Sequence, residues 1–112
     1  MAVTHKSKIQ LNIGLDENKI PEAITWSAED GGISNEETKA FLLSVWDPKQ
    51  KESLRIDLWT KDMPVDEMQK FFHQTLVTMT DTFMRATQDK KMADTMKDFT
   101  DYFAEKLNLI DK

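Results

Sequence analysis

Leu54-Arg55-Ile56-Asp57-Leu58-Trp59-Thr60-Lys61-Asp62-Met63-Pro64-Val65-Asp66-Glu67-Met68 is the stretch across which the chain changes its hydrophobic period. Ahead of Pro64, apolar Leu54, Ile56 and Leu58 alternate with Arg55 and Asp57, the pattern of a strand with one apolar face. Beyond it, Met68, Phe72, Leu76, Met79, Phe83 and Ala86 recur at steps of three and four, which is one stripe along a helix. Pro64 suits the first helical turn, and Asp66 and Glu67 suit the positive end of the helix dipole. The architecture follows from this switch: strands precede, helices follow.

Working towards the N-terminus, Asp47-Pro48-Lys49-Gln50 has the residues of a tight turn, and Phe41-Leu42-Leu43-Ser44-Val45-Trp46 is rich in strand formers. The two runs predict a hairpin with strands at about 39–46 and 53–60. Ser34 and Glu37 have the spacing of a capping box, but the following run favours a strand from about Lys39. Gly31 and Gly32 require a turn before it. Ile24, Trp26 and Ala28 predict a short strand at 24–28 after a break at Pro21, and Ile9, Leu11, Ile13 and Leu15 predict another at 8–15.

Working towards the C-terminus, a second stripe runs through Met92, Met96, Phe99, Phe103 and Leu107. At about 100° per residue, the step from Ala86 to Met92 turns this stripe away from the first, so one straight helix would split its apolar face. A break within Gln88-Asp89-Lys90-Lys91 gives helices at 65–87 and 91–109, although neither glycine nor proline forces it. Each element has one apolar side. The simplest packing is an α+β fold, an antiparallel sheet of three to four strands covered on one face by two antiparallel C-terminal helices, with residues 1–112 as one domain.

Composition narrows the function. A chain of 112 residues, 39% hydrophobic and 31% charged, is a soluble globular sequence, and no apolar run is long enough to span a bilayer. Residues Met1 to Ile9 lack the apolar stretch of a secretory signal, and the absence of cysteine excludes disulfides and thiolate metal sites; both favour the cytoplasm. A net charge of −5 opposes general binding to nucleic acid or anionic lipid.

No catalytic, cofactor or metal site is expected. His5 and His73 have no second histidine at ligand spacing, and His73, beside Phe72 on a helix, is read as packed or solvated rather than as a general base. Asp66 and Glu67 are explained by the helix start, and Glu29/Asp30 and Glu36/Glu37 lack the spacing of a calcium loop. Gly31-Gly32 lacks the residues that would cradle a phosphate. Met68, Met79, Met92 and Met96 fall on the helical stripes and are assigned to the core.

The hairpin is more informative. With Phe41, Leu43, Val45, Leu54, Ile56 and Leu58 facing the helices as core, Leu42, Trp46 and Trp59 must point the other way, beside Ser44, Arg55 and Asp57. Large apolar side chains among polar ones make a protein contact surface, unless the loops between Asp16 and Lys39 cover them.

The sequence resembles the GldC family of gliding-motility proteins over nearly its whole length. The resemblance is carried by His5-Lys6-Ser7, Gly14-Leu15-Asp16-Glu17-Asn18, Trp26-Ser27-Ala28-Glu29-Asp30-Gly31-Gly32-Ile33, Leu43-Ser44-Val45-Trp46-Asp47 and Leu58 to Met68. It continues through Phe71 to Leu76, Ala86 to Asp89 and Asp101 to Leu107. It implies a cytosolic accessory factor that supports gliding without being its motor, and it brings no assigned site residues. The order of strands first and two helices last is also similar to export chaperones of the SecB kind, an analogy of fold alone. The expected function is therefore non-catalytic: binding a protein partner of the motility or associated secretion machinery, or a further copy of the chain, through Leu42, Trp46 and Trp59, as a homo-oligomer, chaperone-like in action. The alternative is a small-ligand binder or enzyme with a pocket between sheet and helices.

Overall fold

A computed structural model describes residues 2–109. The backbone gathers into two compact units that meet in sequence between Met63 and Pro64, where the hydrophobic period changes. The first holds five strands, β1 (Ile9–Leu15), β2 (Pro21–Ala28), β3 (Ile33–Thr38), β4 (Ala40–Asp47) and β5 (Glu52–Trp59), and the second holds α1 (Val65–Thr87) and α2 (Lys90–Lys106). The α+β class and the two C-terminal helices are as the sequence predicts. Among the described residues the strands number five, paired as a three-stranded sheet β1-β2-β3 and a two-stranded sheet β4-β5, antiparallel throughout.

Two strands differ from expectation. β2 starts at Pro21 rather than near Ile24, because proline is tolerated as the first residue of a strand. β3 was not foreseen: Ser34 to Glu37 pairs as a strand instead of opening a helical turn. Its partner decides this, since Glu36 and Glu37 lie opposite Trp26 and Thr25 of β2, and inter-strand pairing overrides weak local preference. The register shifts between Trp26 and Ala28 are absorbed at Asn35, which takes a left-handed φ of 48° and donates its N–H to Ser27 Oγ at 2.9 Å.

Asp16 closes the β1–β2 turn. Its Oδ1 accepts the N–H of Asn18 at 2.8 Å and of Ile20 at 3.0 Å. In the centre of the sheet Ile24 faces Ile13 on one side and Thr38 on the other, and it is fully buried. A bend at Lys39 separates β3 from β4. The chain leaving β5 ties the two sheets together there: Thr60 N–H donates to the Lys39 carbonyl at 2.8 Å, and Lys61 N–H donates to the Pro21 carbonyl at 3.1 Å.

In the second unit α1 begins after Pro64, with Asp66 and Glu67 in its first turn. The break falls inside the expected segment and has a visible cause. Gln88 takes a left-handed φ of 60° and its N–H caps the Met84 carbonyl, while Asp89 accepts the Met92 N–H at 3.0 Å as N-cap of α2. The α2 C-terminus lies at Lys106 rather than residue 109. Asn108 in the left-handed region lets Leu109 N–H reach the Ala104 carbonyl at 2.8 Å and its own N–H reach Glu105, a Schellman closure.

The helices run antiparallel, with His73 of α1 stacked on Phe103 of α2 at 6.3 Å. Ala93, Thr100 and Ala104 are buried in the seam between them, small residues that let the two backbones approach. Each predicted stripe is only partly used. Leu76, Phe83, Met96 and Phe103 are half-buried, whereas Phe72, Met79, Met92 and Phe99 are exposed. Met79 and Met92 are therefore not the core residues their spacing suggested.

Candidate protein-interaction face

β4 and β5 pair without a register shift, so their faces can be read directly. Ala40 lies opposite Trp59, Leu42 opposite Asp57, Ser44 opposite Arg55 and Trp46 opposite Ser53. Side chains directly opposite in an antiparallel pair share a face. Leu42, Trp46 and Trp59 therefore share one face, with Ser44, Arg55 and Asp57. Trp59 is the diagonal neighbour of Leu42, and Trp46 stands about 13 Å further along β4 at ~3.3 Å per residue.

All three are open: Leu42 is 40% exposed, Trp46 63% and Trp59 55%. The loops between Asp16 and Lys39 belong to the same unit and leave them uncovered. Around them the polar groups are sparse. Arg55 Nε stands 3.9 Å from Asp57 Oδ2 along β5, a loose exposed pair. At the hairpin tip Asp47 Oδ1 accepts the Lys49 N–H at 2.9 Å, and Lys51 takes a left-handed φ of 56°, which fixes the turn foreseen in the sequence.

The opposite face overturns one expectation. Phe41 pairs with Leu58, Leu43 with Ile56 and Val45 with Leu54, so the six share a face as predicted. They are not buried. Leu43 is 41% exposed, Leu54 50%, Val45 52% and Ile56 54%, and only Phe41 and Leu58, nearest the bend, are half-buried. A two-stranded sheet has no neighbouring strand or second layer of its own, and the rest of its unit covers only its base.

Sequence reasoning missed a polar cluster where β5 ends. Lys61 Nζ lies 3.1 Å from Asp16 Oδ2 and 3.3 Å from Glu22 Oε1. Lys39 Nζ lies 2.9 Å from Asp62 Oδ2, and buried Thr60 donates its hydroxyl to Asp62 Oδ1 at 2.6 Å. The Ile20 N–H and then the Lys61 ammonium hold the Asp16 carboxyl below its usual range, and the Thr60 hydroxyl and then the Lys39 ammonium do the same for Asp62. Asp16 and Glu22 raise Lys61 in turn. The partners are far apart in sequence, and no local pattern announces them.

The other titratable candidates are explained locally. His73 lies flat against Phe103, and His5 Nε2 meets Asp30 Oδ2 at 3.0 Å on the surface. Among the described residues no three histidine, aspartate or glutamate side chains gather as a metal site, and no helix is long and apolar enough to cross a membrane. A shallow groove on the helical unit is lined by Leu76, Met79, Met96 and Phe99 with Thr80, Thr95 and Thr100. Those three hydroxyls donate to the carbonyls of Leu76, Lys91 and Lys97 in their own helices.

Comparison with known proteins gives one match. The family model described as Gliding motility-associated protein GldC-like covers residues 21–109, well over half of the chain. It takes in both strands of the hairpin and both helices, and it starts beyond β1. No curated protein and no solved structure matches the chain.

Proposed function

This chain belongs to the GldC-like family of gliding motility-associated proteins, and we propose that it serves that machinery as a non-catalytic accessory factor which binds a protein partner through Leu42, Trp46 and Trp59. The observation that carries the reading is the joint exposure of two tryptophans and a leucine on one face of a regular hairpin. Buried tryptophan anchors contribute most to protein interfaces, and a rim of serine and an arginine is the setting in which they occur. Such a face recognises an apolar, aromatic-accepting surface or an extended apolar segment, which is the sense in which the protein is chaperone-like.

The cytoplasm fits a chain free of cysteine. A net charge of −5 directs the choice of partner away from nucleic acid. The groove on the helical unit gives the ligand-binding alternative no support, because its lining is apolar and its threonine hydroxyls are engaged within their helices.

Affinity capture from cells of a gliding bacterium tests the reading. The wild-type chain should retain a stoichiometric partner from the motility or associated secretion machinery. Leu42→Gln/Trp59→Gln should lose it while melting at the wild-type temperature. Equal recovery by both chains would refute the assignment of the face.

A further inference from the structure

We propose that Lys61 is a salt-sensitive latch: with its ion pairs closed it fixes the angle between the β4–β5 hairpin and the three-stranded sheet, and with them open the hairpin swings about Lys39 while both sheets stay folded. Among the described residues no strand ladder joins the two sheets, and the chain passes from one to the other at the Lys39 bend. β4 is thus tied to the three-stranded sheet through the backbone, and β5 is not. A hairpin held covalently through one strand has a hinge at that connection.

What fastens the other strand is the segment that follows it. Lys61 reaches the three-stranded sheet and its first turn by three contacts. Its N–H donates to the Pro21 carbonyl at 3.1 Å, and its Nζ stands 3.1 Å from Asp16 Oδ2 and 3.3 Å from Glu22 Oε1. Its neighbours brace the hinge instead: Thr60 N–H donates to the Lys39 carbonyl, and Asp62 accepts from the Lys39 ammonium and the Thr60 hydroxyl. Opening at Lys61 therefore leaves the hinge intact and frees the hairpin to turn about it.

The closing pairs are weak enough to open. The Lys61 side chain is half exposed, and exposed ion pairs are individually small and screened by salt. Asp16 differs, because only 15% of its side chain is exposed and its Oδ1 is engaged in the β1–β2 turn. Without the ammonium this carboxylate lacks its counter-charge, and the water it then needs is admitted when the segment lifts. The lever is long. Eight residues of β5 put the hairpin tip about 26 Å from the hinge, so a turn of about 20° moves the tip by about 9 Å. Leu42, Trp46 and Trp59 ride on this hairpin, but the latch concerns its angle alone and stands apart from what that face binds.

The chain has no cysteine, so a single pair of spin labels can be placed through Asn12→Cys on β1 and Gln50→Cys at the hairpin tip, both exposed. The distance between the labels is measured in the full chain below its melting transition, with far-UV circular dichroism alongside. The doubly labelled chain at low salt should give one narrow distance. Raising salt to ~1 M, where the Debye length is ~3 Å, and adding Lys61→Met at low salt should each widen the distribution about twofold or more, with the circular dichroism unchanged. A distribution that stays narrow in either arm, one already broad in the labelled chain at low salt, or widening accompanied by loss of strand signal would overturn the proposal.

Discussion

Lys61, just beyond β5, and Asp16, at the end of β1, are 45 residues apart in sequence and 3.1 Å apart at Nζ and Oδ2. Asp16 is the same carboxylate that fixes the β1–β2 turn, so this contact links that turn to the segment on which the two sheets converge. The pair is reported by acid stability. Asp16 and Asp62 are held below the usual value of 3.8 in the folded chain, so the stability they contribute is present above that value. It is lost as pH falls through their lower folded values. Thermal melts between neutral pH and pH ~2 should show that loss, and Lys61→Met should melt lower at neutral pH with a shallower acid dependence. Superimposable acid profiles would contradict the linkage.

Ile24 is fully buried, while Leu54 is half exposed on the open face of the hairpin. Ile24→Ala should lower unfolding free energy by about 2–5 kcal/mol, and Leu54→Ala by less than about 1 kcal/mol. Urea unfolding of the two variants checks the contrast.

The helix break gives a matched pair of outcomes. Asp89→Ala removes the N-cap of α2 and should cost about 1 kcal/mol. Gln88→Gly relieves a left-handed backbone position and should not destabilise, gaining up to ~1 kcal/mol. A Gly-Ser insertion between Thr78 and Met79 should cost several kcal/mol, because it rotates half of the α1 seam away from α2.

Ala104 is buried where α1 and α2 approach each other. Ala104→Leu adds volume that the seam cannot take and should destabilise by roughly 1–3 kcal/mol, whereas Phe99→Leu, on the exposed part of α2, should change little. Far-UV circular dichroism melts distinguish the two.

Much of the fold is legible in the sequence where a period is strong. The alternation of Ile9 to Leu15 and the stripe from Met68 to Ala86 give β1 and α1 nearly to the residue. β3 is illegible because Ser34 to Glu37 has no apolar alternation, and only pairing with Thr25 and Trp26 makes it a strand. The helix break is legible as a phase change, but its agents, Gln88 and Asp89, are not residues that end helices by rule. Of the candidate face, the common side of Leu42, Trp46 and Trp59 follows from parity alone. The exposure of Leu43, Val45, Leu54 and Ile56 does not, because an apolar alternation says which residues share a face and not how far each of them is covered.

The most direct test of the account is the gliding of cells whose only copy of this gene encodes Leu42→Gln/Trp59→Gln, with protein abundance measured alongside. The exposed pair lies outside the fold's buried core, so the variant should accumulate normally while gliding falls below the wild-type rate. Gliding at the wild-type rate, with the variant present at the wild-type level, would contradict a role for this face in motility.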